Sequence, residues 1–106
     1  MAAHESVNDL QFSHYPPGMG NRQHMVTAYK EGREVGKLEW TAKEVKNVET
    51  YPEHRRQGVA TALWNEGHRL AETNARIPAP KHSSQRTNAG NEWARSVGGR
   101  LPRRVT

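Results

Sequence analysis

Two arginines stand just ahead of a glycine in Arg55-Arg56-Gln57-Gly58-Val59-Ala60. Each residue type suits an anion. Glycine lets a ligand approach the backbone, because no Cβ is in the way. Ala60 is the next smallest choice. Arginine binds phosphate as a fork. A helix opening after Gly58 would add first-turn N–H groups that lack intrahelical partners, with the helix dipole favouring negative charge there. The segment therefore fits a phosphate or pyrophosphate cradle. An ordinary strand-to-helix turn with solvated arginines would use the same residues.

Elements on both sides must position that loop. Val59, Leu63, Gly67 and Leu70 recur at helical spacing, with Ala60, Trp64 and Ala71 beside them, which predicts a helix from Val59 towards Asn74. Upstream, Glu44 to Tyr51 reads as a strand, with Val48 and Thr50 facing one way and Glu49 and Tyr51 the other. Pro52 ends it by removing a ladder donor. Met25–Tyr29 and Glu34–Trp40 flank Lys30-Glu31-Gly32-Arg33 and predict a hairpin with Gly32 in the turn. Leu38 and Trp40 share one face of its second arm. Leu10-Gln11-Phe12 predicts a short strand. His14 to Asn21 is too rich in Pro and Gly for a helix interior.

Val48-Glu49-Thr50-Tyr51-Pro52-Glu53-His54-Arg55-Arg56-Gln57-Gly58-Val59-Ala60, followed by Ala62-Leu63-Trp64, resembles the GNAT superfamily of N-acetyltransferases. The hexapeptide matches that family's R/Q-x-x-G-x-G/A signature, and the stretch before it looks like the family's fourth strand and its exit. The close resemblance covers roughly a quarter of the chain. It implies an α/β (α+β) fold: a mixed, mostly antiparallel sheet with a central cofactor-binding helix and a C-terminal helix. The expected co-substrate is acetyl-CoA. The expected reaction is direct attack of a primary amine on the thioester within a ternary complex. The acceptor would be a protein lysine or N-terminus, or a small amine. A catalytically weak acyl-CoA-binding or partner-binding module on a reduced fold is the alternative.

The resemblance assigns roles residue by residue. Arg55, Arg56, Gln57, Gly58, Val59, Ala60 and Thr61 would hold the pyrophosphate. Val48, Glu49 and Thr50 would align the pantetheine through strand backbone. The family's asparagine maps onto Thr87, with Asn88 next to it. For the base, Glu49 flanks the expected thioester and Glu39 lies on the neighbouring strand. His82 precedes the final helix, and imidazole titrates in the needed range. Each has a structural alternative, as a salt-bridged strand carboxylate or a surface histidine. The family's helix tyrosine falls on Ala94, and no tyrosine follows Tyr51. Ser84, Ser83 or Thr87 would then supply the hydroxyl, and a hydroxyl there is equally a helix N-cap.

The rest of the chain departs from the family. Its usual helices between the first two strands are missing from His14–Asn21, so the acceptor side should be open or completed by a partner. Ala75-Arg76-Ile77-Pro78-Ala79-Pro80 replaces the fifth strand with a short extended edge or irregular segment. Trp93, Ala94 and Val97 mark a second helix that Gly98-Gly99 stops. Leu101 and Val105 suggest one weak terminal strand.

Composition narrows the classes. A chain of 106 residues fits a single domain over 1–106, with polar Met1–Asp9 expected to fray. Hydrophobic residues are 33% of it and the mean hydropathy is -1.02, so its core must be small. There is no cysteine, which excludes disulfides and thiolate chemistry. The other histidines lack metal-ligand spacing, so no metal is expected. The net charge of +5 suits anionic ligands; with no nucleic-acid motif, it reads as solubility and cofactor attraction. No apolar run spans a bilayer and no secretory signal opens the chain, so a cytoplasmic protein without membrane contact is expected. A short open sheet offers an edge for homodimerisation.

Overall fold

A computed structural model describes residues 10–18, 22–51 and 58–105. In order, these form β1 (Leu10–Tyr15), β2 (His24–Lys30), β3 (Arg33–Trp40), β4 (Val45–Thr50), α1 (Val59–Thr73) and α2 (Asn88–Val97). The strands make one antiparallel sheet in the order β1-β2-β3-β4, so the fold is α+β. The parallel strand of a mixed sheet is not among the described residues.

Local chemistry explains the meander. β2 and β3 join through Glu31 and Gly32 at φ 53° and 80°, the positive-φ pair that a tight hairpin of type I′ requires. Gly32 takes that conformation without cost, whereas Glu31 does not. Alternation then sorts the residues. Phe12, Ala28 and Gly36 lie across from one another, as do His14, Val26, Leu38 and Val48, and this row continues to the buried face. Val26, Leu38 and Trp40 have no exposed surface. A one-residue slip in the β3–β4 ladder pairs Trp40 with Val45 and Glu39 with Asn47. The extra residue, Lys46, lets Val45 and Val48 both face the core despite their odd spacing. β1 is longer than Leu10-Gln11-Phe12 suggested, because Ser13, His14 and Tyr15 also pair with β2.

α1 covers that face with Val59, Ala62, Leu63, Trp64 and Gly67, close to the predicted stripe. Two glycines set its distance. A Cβ on Gly36 would stand 2.6 Å from the Glu49 carbonyl oxygen and 3.0 Å from Val59 Cγ1. A Cβ on Gly67 would stand 2.5 Å from Pro80 Cγ. The opposite sheet face carries no helix among the described residues. Lys37, Glu39 and Asn47 meet there, with Lys37–Glu39 at 3.9 Å and Asn47 donating to Glu39 at 3.3 Å.

Ala75–Pro80 is irregular. Pro80 is fully buried under Gly67, the Trp40 indole donates to the Pro78 carbonyl at 2.7 Å, and Val45 N–H donates to the Lys81 carbonyl at 2.6 Å. Beyond that bond at the β4 edge no further strand pairs with β4 among the described residues, and prolines lack the N–H that a ladder needs. The terminal strand suggested by Leu101 and Val105 does not form. Pro102 has no N–H to donate, and the tail is tied by scattered bonds instead: Val105 N–H to the Ser84 carbonyl at 2.9 Å, Arg86 to the Pro102 carbonyl at 3.0 Å, and Arg104 to the Arg86 carbonyl at 2.8 Å. No helix among the described residues is long and apolar enough to cross a membrane.

Candidate functional site

β4 is an edge strand of the described sheet, and α1 begins just beyond its end. The two diverge around a cleft of ≈ 700 Å³. Val48, Glu49 and Thr50 line one side; Gly58, Val59, Ala60 and Thr61 line another. α2 closes it with Thr87, Ala89, Gly90 and Trp93. Thus the strand segment, the glycine turn and Thr87, singled out along the chain, border one space. Arg55, Arg56 and Gln57 lie outside the described residues, as does Met1–Asp9. Asn88 opens α2.

The chemistry of the α1 start favours an anion. Gly58, at φ 79°, sits at the cap position, offers no side chain to the first turn, and no acid follows in that turn. The first intrahelical bond is Ala62 N–H to the Gly58 carbonyl at 2.9 Å, so the donors of Val59, Ala60 and Thr61 precede the ladder. They stand at the positive end of the dipole, inside a concave wall. An L side chain at Gly58 would strain the backbone as well as fill the approach.

The α2 side is set by Thr87. Its hydroxyl accepts the Gly90 N–H at 3.0 Å, an N-cap that starts the helix where the polar stretch ends. The cap brings Gly90 and Trp93 round to the cleft, one turn apart. Ala89, Gly90 and Trp93 were not anticipated as site residues. Their signal was the same periodicity that marked α2 as amphipathic, since the apolar stripe wraps from core to cleft. Trp93 Nε1 is buried with no partner among the described residues.

The three catalytic candidates separate. Glu49 is exposed and borders the cleft. His82 is 4% exposed and forms part of an aromatic wall. Its ring stacks on Trp64 with centroids 4.1 Å apart and meets the Trp93 edge at 5.7 Å. His82 Nε2 lies 2.7 Å from the Gly98 carbonyl oxygen. A carbonyl only accepts, so Nε2 carries a proton in this contact and Nδ1 is the ring's other nitrogen. His82 also lines a hollow of ≈ 200 Å³ that shares Val48, Thr87, Gly90 and Trp93 with the cleft. Ser84 is not among the cleft-lining residues; its carbonyl holds the tail through Val105. Ala94 is 1% exposed in the core, and among the described residues no tyrosine lines the cleft. Glu39 points to the uncovered face, held by Asn47 and Lys37.

Comparison with protein-family models, with characterised proteins and with solved structures finds no match to this chain.

Proposed function

We propose that the chain is an acetyl-CoA-dependent N-acetyltransferase acting on a primary amine. One observation carries the reading: the cleft of ≈ 700 Å³ joins Val48–Thr50 at the edge of β4 to the uncapped, acid-free first turn of α1. Strand backbone beside helix donors suits a long ligand with an amide-bearing arm and a pyrophosphate, and the volume lies in the range of small-molecule sites. Acetyl-CoA would supply an activated thioester. In the cleft, Gly58–Thr61 bind phosphate oxygens, β4 orients the arm, and Trp93 gives an apolar wall that excludes water. The attacking amine forms the C–N bond as the C–S bond breaks. Its proton leaves to a base, and the departing thiolate takes a proton from water, to which the base returns the amine's proton. Glu49 is the carboxylate placed to accept a proton. His82 Nδ1 is the second acceptor, behind Trp93. An open acceptor side suits a protein amine, and the same reading implies a cytoplasmic setting.

A second reading, an acyl-CoA-binding module with weak catalysis, is favoured by the absence of a tyrosine from the cleft lining among the described residues and by the lodging of His82 between rings.

Thermal melting with acetyl-CoA tests both. Ligand at a hundred times its Kd adds about 2.7 kcal/mol, enough for a shift of several degrees in a chain of this size. Ala60→Glu should abolish the shift while leaving melting without ligand intact, because an acid at a helix start favours the helix and repels phosphate. A folded sample with no shift at saturating acetyl-CoA, or an unchanged shift in Ala60→Glu, overturns the assignment. Thiol release with amine and peptide acceptors then separates transferase from binder.

A further inference from the structure

A second cavity, of ≈ 550 Å³, shares no lining residue with the cleft among the described residues. Trp64 and His82 form its floor, while Trp93 belongs to the cleft. Trp64 meets Trp93 edge to face at 5.6 Å, so the ring cluster stands between the two spaces. Ala79, Pro80 and Pro102 extend the apolar wall. The rim is cationic: Lys43, Lys81 and Arg100 all border the cavity and all are exposed. Among the described residues no carboxylate lines it. Among the described residues none of these three cations is in a salt bridge; Glu44, beside Lys43, is bonded to Lys46.

The rim is also held in place. Arg100 lies on the tail that Arg86 grips through the Pro102 carbonyl, and Lys81 is fixed through its carbonyl to Val45. His68 adds a polar group to the wall. Burial holds its imidazole below the usual value. Its Nε2 is buried with no partner among the described residues.

We propose that this cavity binds a small organic anion, a flat or apolar body carrying a carboxylate or a phosphate. The volume is that of a small-molecule site. The stacked rings and prolines take the apolar body. Arg100 supplies the fork, and Lys43 and Lys81 supply point charges around it. With three cations and, among the described residues, no acid in the lining, a cationic ligand of the same shape is repelled. Among the described residues none of its lining belongs to the cleft, and binding here does not depend on the acetyl-CoA reading; His82 alone, in its floor, also has a part in that reading, as the second acceptor.

The test uses benzoate, phenyl phosphate, inorganic phosphate and benzylamine, followed by NMR at the Trp64 indole N–H of the full chain. Benzoate and phenyl phosphate should bind, and the tighter of the two names the anion. Inorganic phosphate should be at least about tenfold weaker, since it cannot use the apolar wall. Benzylamine should not bind. Lys81→Glu/Arg100→Glu, at exposed positions where folding is little affected, should weaken both aromatic anions by at least about tenfold. Ala60→Glu, which disables the cleft, should leave their binding unchanged. The proposal is overturned if neither aromatic anion binds, if benzylamine binds as well as benzoate, if the charge-reversed variant binds normally, or if Ala60→Glu removes the binding.

Discussion

The cleft beside β4 joins a strand end and a helix start, near neighbours in the chain, to the first turns of α2, whereas the cavity under the tail draws on four separate stretches: Lys43, Trp64 with His68, Ala79 to His82, and Gly99, Arg100 and Pro102. Backbone donors are placed by local geometry and need few particular residues. Side-chain cations need tertiary contacts to bring them together. The first site should therefore resist surface substitution and fail when the backbone is displaced. The second should do the reverse, surviving small backbone shifts less readily only where Pro80 and the tail are moved.

The strongest challenge to a two-site description is Trp64→Ala. Trp64 is 5% exposed and touches His68, His82 and Trp93. Removing it should cost about 3–5 kcal/mol in urea denaturation and disturb both sites together. A folded variant that loses only the second cavity would show that the wall does not support the cleft.

Next come two glycines that act on opposite sides. Gly36→Ala drives a methyl into the Glu49 carbonyl, which is backbone and gives little. It should destabilise by about 1–3 kcal/mol and weaken the acetyl-CoA melting shift while sparing aromatic-anion binding. Gly67→Ala presses on the buried Pro80 ring and should do the opposite. Its net cost should be smaller, because alanine returns roughly 1 kcal/mol in a helix interior. Equal effects of either variant on both ligands would merge the two sites into one.

Thr87→Ala is finer. Losing the cap to Gly90 should cost about 1 kcal/mol and fray the α2 start at the cleft. Thr87→Ser should restore most of it, and chemical denaturation compares the two.

The smallest effect is with pH. Burial holds His14, His24 and His68 below the usual imidazole value of 6.5. Folded imidazoles thus resist protonation more than unfolded ones, so stability is present above about 6.5 and declines as pH falls below it. His14 and His24 stack against Trp40, away from the cleft lining, with their ring nitrogens 3.0 Å apart. Denaturation midpoints on either side of neutral should separate, and His14→Gln/His24→Gln should flatten the difference. A midpoint that rises on acidification would reverse the assignment.

Much of this was legible in short stretches. Gly58 with the Val59–Leu70 stripe predicted α1, and alternation in Glu34–Trp40 predicted the face that became the core. Half of the cleft follows, since Val48–Thr50 and Gly58–Thr61 are near neighbours in the chain. The rest depended on contacts with no local trace. His82 carries the chemistry of a base, yet its surroundings are Trp64, Trp93 and the Gly98 carbonyl, drawn from two helices and a turn. The terminal strand failed because Arg86 and Ser84 hold the tail by isolated bonds, an arrangement alternation cannot announce.

By itself the sequence determined the meander, the helix after Gly58 and the anion-favouring character of its first turn, because hydrophobic period and glycine placement act over a few residues. Only tertiary structure decided that Gly36 and Gly67 bring the layers close, that His82 lies within a wall of rings, and that Lys43, Lys81 and Arg100 meet around a second cavity. Those outcomes rest on volume and distance between segments far apart in the chain, which no local pattern encodes.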